Sequence, residues 1–329
     1  MINAAIVGLG RWGQNLVECV HGKSEKLRFT AGVARTKEKA RAFAESHGIA
    51  LADSYAAALA DPKVDAIVLA TPHTQHAEQV VAAARAGKHV FTEKPFTLTA
   101  ASAEAAIRAC ADARRVLAVG FNWRFQPALQ EIRRMLEDGR LGRLLHIEGN
   151  FNGPSVYRFP REHWRQQREE GPAGGMTGRG VHVVDAMLYL AGRIDSVFAQ
   201  SERLALDYGL DDTTSMLFRF KSGATGYLGT FIATAEGWRL QVFGSKGWAK
   251  VGSIPHLHTW SLTTCMVNAQ PTVIDYPQQS TERAELDAFA DAVERGTPYA
   301  CPPEDAIHGV AVFEAILQSA QSGRREPVA

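Results

Sequence analysis

Long hydrophobic runs are missing from this 329-residue chain. Its apolar stretches, such as Asp65-Ala66-Ile67-Val68-Leu69-Ala70, fall far short of the roughly 20 residues that span a bilayer. The N-terminus opens directly into a strand-forming run, without the basic segment and apolar core of an export signal. Cysteine is scarce: Cys19, Cys110, Cys265 and Cys301 show no paired spacing, which argues against a disulfide framework or a cysteine zinc site. A reducing cytoplasm is the expected home. Charge of one sign is lacking too, since a net charge of +1 gives no general attraction to nucleic acid or an anionic membrane. There is no internal repeat and no low-complexity linker. The length leaves room for one large or two ordinary domains.

What is present begins with a short apolar run at 3–7, followed by Gly8-Leu9-Gly10-Arg11-Trp12-Gly13 and a helix-compatible segment. Between a strand and a helix this pattern has a mechanism. Gly8 makes the tight turn, Gly10 lets the backbone approach a pyrophosphate, and Gly13 permits close helix–strand packing, with the phosphates at the helix N-terminus. Arg11 and Trp12 belong to the same loop. A second strand, 28–33, ends in Ala34-Arg35-Thr36-Lys37. Cofactors with a free ribose 2′-hydroxyl meet an acid about 20 positions after the glycine loop; here Ala34 stands there, followed by two cations and a hydroxyl. These suit a 2′-phosphate, so NADP is expected over NAD. The alternative is that they merely open the next helix, 37–47, on its solvent side.

The alternation continues with strands at 65–70, 89–92 and 116–119 and helices at 75–86 and 100–113, which implies a parallel, doubly wound sheet. Ligands on such sheets bind outside the C-terminal strand ends. Those ends carry the glycine loop, Ala34-Arg35, Thr71-Pro72-His73, Glu93-Lys94-Pro95 and Phe121-Asn122. The stretch from Lys88 to Pro95 delivers Lys94 into a turn at the junction of the two halves.

Beyond 120 the pattern changes. A helix at 127–138 and a strand at 143–151 lead into an irregular polar stretch to Gly175, then a helix at 180–191. Strand-like runs follow at 197–204, 215–220, 224–231 and 239–243, and more weakly at 257–262 and 272–276. Ser222-Gly223 and Ser245-Lys246-Gly247 read as hairpin turns. The expectation is a Rossmann domain over 1–120 and an α+β domain over 121–329 with a mostly antiparallel sheet. Helices at 282–295 and 303–322 close the chain, the last a candidate to pack back on the first domain.

Taken together the motifs resemble the Gfo/Idh/MocA oxidoreductases. The likeness rests on the glycine loop, on Thr71-Pro72-His73-Thr74-Gln75-His76, and on Ala86-Gly87-Lys88-His89-Val90-Phe91-Thr92-Glu93-Lys94-Pro95. It rests further on Gly120-Phe121-Asn122-Trp123-Arg124-Phe125 and on the run from Gly174 to Asp185. The resemblance implies an open-faced antiparallel sheet that makes dimer or tetramer contacts, and a dehydrogenase or reductase for a sugar, cyclitol or related alcohol. It also implies that Thr71, Pro72 and His76 line the nicotinamide side, with Glu93 among the cofactor residues. One departure stands out: the family aspartate four residues before His182 is replaced by Gly178. Asp185, on the same helix face as His182, is the candidate to compensate or to bind substrate hydroxyls.

Oxidising an alcohol removes a hydride, which the nicotinamide takes, and a proton, which the protein must take. One hypothesis gives Lys94 the task of holding the reacting oxygen, or also of acting as its acid/base, and His182 that of base or proton relay. An ion pair of Lys94 with Glu93 and a merely packed His182 are the structural alternatives. The irregular segment from Tyr157 to Arg168 carries four arginines, and Arg124 and Arg179 lie in the adjoining motifs with Asn122. Arginine forks match carboxylate and phosphate geometry, so an anionic substrate such as a sugar acid is one expectation and a solvated loop the other. Arg165 and Trp164 would then face the substrate. His73 with His76, and His256 with His258, lack a third ligand, so no metal is expected. A ligand sensor without turnover, and an enzyme using tightly held cofactor for transient oxidation, are the rival functions.

Overall fold

The computed structural model describes residues 1–253 and 260–329. The pair His256 and His258, and part of the strand expected over 257–262, lie outside them. The chain forms two compact units: Met1–Asn122 with Ser280–Ile307, and Trp123–Gln279 with His308–Ala329.

In the first unit, strand and helix alternate as β1 (Ile2–Val7), α1 (Arg11–Val20), β2 (Leu27–Val33), α2 (Lys37–Ser46), β3 (Ala50–Leu51), α3 (Tyr55–Ala60), β4 (Ala66–Leu69), α4 (His76–Arg85), β5 (His89–Glu93), α5 (Ala100–Asp112) and β6 (Leu117–Gly120). The six strands pair in the order β3-β2-β1-β4-β5-β6, every neighbour parallel. Helices cover such a sheet on both faces, which is why β4 is apolar and buried at every position. The helix ends follow local chemistry. Ser54 and Thr99 accept backbone N–H groups at the starts of α3 and α5. Gly87, at φ +76°, ends the run after α4. The sequence pattern did not reveal β3 and α3, because two strand residues and six helical ones are too few to show a period.

The chain passes into the second unit within a 3₁₀ turn (Asn122–Phe125) that leads into α6 (Pro127–Glu137), then β7 (Leu144–Asn152) and two 3₁₀ turns, Ser155–Tyr157 and Trp164–Gln166. A π-helical turn, Met176–Gly180, leads into α7 (Val181–Ala191). Strands β8 (Ile194–Glu202), β9 (Thr213–Phe220), β10 (Thr225–Phe231), β11 (Gly237–Gly244), β12 (Gly247–Ser253), β13 (Ser261–Met266) and β14 (Thr272–Asp275) follow. The chain closes with α8 (Thr281–Arg295), α9 (Pro303–Ser322) and β15 (Glu326–Pro327). Among the described residues, nine strands form one sheet, β14-β13-β12-β11-β7-β10-β9-β8-β15, antiparallel except between β7 and β10. The hairpins expected at Ser222-Gly223 and Ser245-Lys246 join β9 to β10 and β11 to β12.

Alternation along β7 buries Ile147, Gly149 and Phe151 on one face. Helix α7 lies so close there that a Cβ at Gly149 would meet Val183 Cγ1 at 2.6 Å. Opposite faces the open side, where Leu217, Tyr227, Glu148, Gln241 and Lys250 stand in register across five strands. Helix α8 belongs to the first unit: Leu286, Phe289 and Ala290 are buried in the core that β1, β2, β4 and α1 build, and Phe289 meets Phe91 edge-on at 5.9 Å. Among the described residues no helix is long and apolar enough to cross a membrane.

Candidate active site

The glycine loop is tight by necessity at two of its three positions. Gly8 has φ +100°, and a Cβ there would sit 2.5 Å from the carbonyl oxygen of Ala70. A Cβ at Gly13 would lie 2.1 Å from the carbonyl oxygen of Gly8, so α1 reaches the loop only because position 13 has no side chain. Gly10 differs: a Cβ there would meet nothing within 4 Å. The protein itself does not need a glycine at position 10, whereas a ligand approaching the backbone would. Gly10 also occupies the N-cap of α1 without a capping side chain, and the first turn holds no acid. Its N–H groups suit a phosphate.

At the end of β2, Arg35 and Thr36 are exposed and Ala34 is half-buried. Thr36 takes the N-cap position of α2 without its hydroxyl bonding the helix. Lys37 Nζ reaches Asp53 Oδ1 at 2.5 Å, just past β3. After β4, the Thr71 hydroxyl donates to Gln79 Oε1 at 2.6 Å. His76 is fully buried, its Nδ1 2.8 Å from the Pro95 carbonyl oxygen and its Nε2 3.1 Å from that of Thr71. Its ring therefore braces the loops after β4 and β5 from behind, instead of lining a surface, while Pro72 stays half-buried.

Glu93 ends β5 as a buried carboxylate, and the backbone N–H of Lys94 donates to its Oε2 at 3.2 Å. Burial pushes the Glu93 carboxyl up to about 6; the Lys94 charge opposes this, and Glu282 adds to it. The Trp12 indole also favours the charged form, although it falls short of hydrogen-bond geometry. Lys94 itself is half-buried, and its bond to Pro95 is cis. Asn122 donates through Nδ2 to Thr281 Oγ1 at 3.1 Å, so the start of α8 lines this region. Sequence reasoning missed Thr281 and Glu282, which no motif marks.

In the second unit His182 is buried in an aromatic setting. Its ring stacks on Trp123 with centroids 5.2 Å apart and lies 6.2 Å from Phe151; Trp123 in turn packs on Trp238 at 4.4 Å. Trp123 stood inside a quoted motif, but nothing in the sequence pointed to its stacking role. Arg124 and Asp185 spend their charged ends on each other: Nε lies 3.0 Å from both carboxylate oxygens and Nη2 2.7 Å from Oδ1, in full burial. Arg179 is drawn inward as well. It donates to Ser155 Oγ and the Asn152 carbonyl oxygen, both at 2.9 Å, and lies over Phe151. Burial lowers its pKa to about 10.

The π turn before α7 owes its shape to packing at two glycines. A Cβ at Gly175 would approach Ile232 Cγ2 at 2.6 Å, and one at Gly180 would meet Met176 Sδ at 2.3 Å. At Gly178 a Cβ would find nothing within 4 Å. The four arginines of the irregular segment all have internal partners. Arg158 pairs with Glu236 at 2.9 Å and Arg168 with Asp211 at 3.0 Å. Arg161 lies over Tyr208, and Arg165 over Trp164 at 4.4 Å.

Comparison with known proteins agrees with this architecture. Residues 2–121 match the oxidoreductase family with an NAD-binding Rossmann fold, and residues 129–250 match the GFO/IDH/MocA C-terminal domain. The D-xylose 1-dehydrogenase (NADP(+)) 2 of Haloferax volcanii is 30% identical over 88% of this chain and 89% of its own length. The inositol 2-dehydrogenase of Rhizobium meliloti is 26% identical over 100% and 99%. A solved aldose–aldose oxidoreductase of Caulobacter crescentus superposes with a TM-score of 0.90 at 27% identity, covering 99% of both chains. The chain belongs to the Gfo/Idh/MocA family and is an NAD(P)-dependent oxidoreductase acting on CH–OH groups.

Proposed function

We propose that this oxidoreductase transfers a hydride between NADP, preferred over NAD, and a hydroxyl carbon of a sugar, sugar acid, cyclitol or cyclic diol. The observation carrying the chemistry is Lys94, a half-buried ammonium directly following a buried carboxylate at the end of β5, in the unit that holds the glycine loop. Bound NADP supplies the hydride acceptor or donor. Gly8, Gly10, Arg11, Trp12 and Gly13 hold its pyrophosphate, an assignment favoured by the open space at Gly10. Arg35, Thr36 and Lys37 meet the 2′-phosphate, while Thr71 and Pro72 contact the nicotinamide side with His76 bracing them.

In this reading Lys94 holds the reacting oxygen and Glu93 positions Lys94. His182 takes the proton or relays it, kept in one orientation by Trp123 and Phe151. Arg124 fixes Asp185 on the same helix face, so the pair shapes the ground beneath His182. Asn122, Trp164, Arg165 and Arg179 contact or support substrate, and the arginine forks among them suit a substrate carboxylate. The names of the xylose and inositol dehydrogenases favour the polyhydroxy class of substrate. Homodimers or homotetramers form through the open side of the nine-stranded sheet, where exposed Leu217 lies in a mixed apolar and polar row. Light scattering coupled to gel filtration tests that assembly.

The deciding assay is turnover with NADP and NAD separately against sugars, sugar acids, inositols and cyclic diols, read by reduced-nicotinamide absorbance. Lys94→Ala is expected to lower kcat by about 10²- to 10³-fold, the loss on removing one donor to a developing oxyanion. Full turnover of that variant at saturating substrate would remove Lys94 from the mechanism.

A further inference from the structure

The acid missing from the end of β2 has a substitute on the neighbouring strand. Strands β2 and β3 pair in parallel, with Gly32 opposite Leu51, and the Ala52 N–H continues the ladder to the Gly32 carbonyl oxygen. Two residues past the last pair come Ala34 on one side and Asp53 on the other. Asp53 is exposed and reaches across to Lys37 at 2.5 Å, so its carboxylate stands beside the loop that follows β2. Arg35 and Thr36, directly before Lys37 in the chain, both face water.

We propose that Asp53 is a specificity-determining residue for the cofactor, offering an acceptor to a free ribose 2′-hydroxyl and withholding Lys37 from a 2′-phosphate. The proposal rests on the reading that the cofactor's ribose 2′ position meets residues 34–37. The chemistry is asymmetric. A 2′-hydroxyl donates a hydrogen bond to a carboxylate, whereas a 2′-phosphate is repelled by it and attracted to the ammonium beside it. The bond from Lys37 also holds the Asp53 carboxyl below the usual carboxylate range, so the charge persists at neutral pH. The loop therefore contains both solutions to cofactor recognition at once: Arg35 and Thr36 for the phosphate, Asp53 for the hydroxyl. NADP preference is muted as a result, and NAD remains usable.

The test is a fluorescence titration of NADPH and NADH into the full-length protein and its Asp53→Asn, Arg35→Ala and Asp53→Asn/Lys37→Ala variants, at one fixed ionic strength. Asp53→Asn is expected to tighten NADPH about fivefold, the upper range for an exposed charge pair, and to weaken NADH. Adding Lys37→Ala should abolish the gain for NADPH. If Arg35→Ala changes the ratio of the two affinities and Asp53→Asn does not, the role of Asp53 is refuted and the phosphate loop stands. If neither variant moves the ratio, the 2′ position lies elsewhere and both readings fall. All three positions are at least partly exposed, and unchanged circular dichroism confirms that the variants fold.

Discussion

Three pairings of a cation with a carboxylate sit at three depths in this protein. Arg124–Asp185 is sealed, with side chains 1% and 4% exposed. Glu93 is buried beside the half-buried Lys94. Lys37–Asp53 is open to water, the Asp53 side chain being 94% exposed. Depth decides what each can do. A sealed fork has no free valence for a ligand, and losing one partner strands a charge in a medium that cannot solvate it. An exposed pair is weak and exchangeable, so a ligand can replace either partner at little cost. The intermediate case leaves a carboxylate strained by burial and a cation within reach of its surroundings. Arg124 and Asp185, expected among substrate contacts, are buried and bound to each other.

The largest effect that would break the comparison is expected at the sealed pair. Asp185→Asn leaves a buried guanidinium without its counter-charge, at a cost of about 3–5 kcal/mol in unfolding free energy. Urea denaturation followed by circular dichroism measures it. Replacing both partners, as Arg124→Met with Asp185→Leu, is expected to restore most of that loss, because the desolvation cost of both ions disappears. A loss below about 1 kcal/mol in the single variant would mean that the pair is solvated like a surface bridge.

Such a pair is hidden from sequence reasoning because its members lie 61 positions apart and charged motif residues look the same whether they face a ligand or each other. The same holds for the loop arginines, whose carboxylate and aromatic partners come from distant segments such as Glu236 and Tyr208. What could be read were features with a local cause. The parallel sheet follows from period and spacing, and the need for glycine at 8 and 13 follows from the positive φ of Gly8 and the Gly8 carbonyl oxygen that crowds position 13. Strand β12 was missed because Gly247, Ala249, Lys250 and Gly252 are poor strand formers; pairing with β11 and β13 on either side makes it a strand. Helix α8 was expected as a closing helix, but its position in the sequence does not say which core receives its apolar face. Phe289 against Phe91 answers that only in three dimensions.

The intermediate pair sharpens the comparison through pH. The folded-state value of Glu93, about 6, lies above its ordinary 4.5. A carboxyl raised in this way contributes stability that is complete below 4.5 and is lost as pH climbs through 6. The loss amounts to roughly 2 kcal/mol for a shift of this size. Glu93→Gln removes the titration. Its stability relative to the parent protein should therefore rise by up to about that amount between pH 4 and pH 8, with the steepest change between 4.5 and 6. A pH-independent difference would show that Lys94 cancels the burial cost of Glu93 completely.

The smallest effect belongs to the open pair, where it matters that stability stays still. Lys37→Ala and Asp53→Ala remove an interaction that water already competes for, and no resolvable change in the urea midpoint is expected from either. Measured beside the cofactor titrations, this separates two meanings of a salt bridge. If the variants move the NADPH-to-NADH affinity ratio with an unchanged midpoint, the pair is a recognition device resting on a scaffold that does not depend on it. If the midpoint falls instead and the ratio holds, Lys37 and Asp53 tie β3 to the start of α2, and recognition at this loop rests on Arg35 and Thr36.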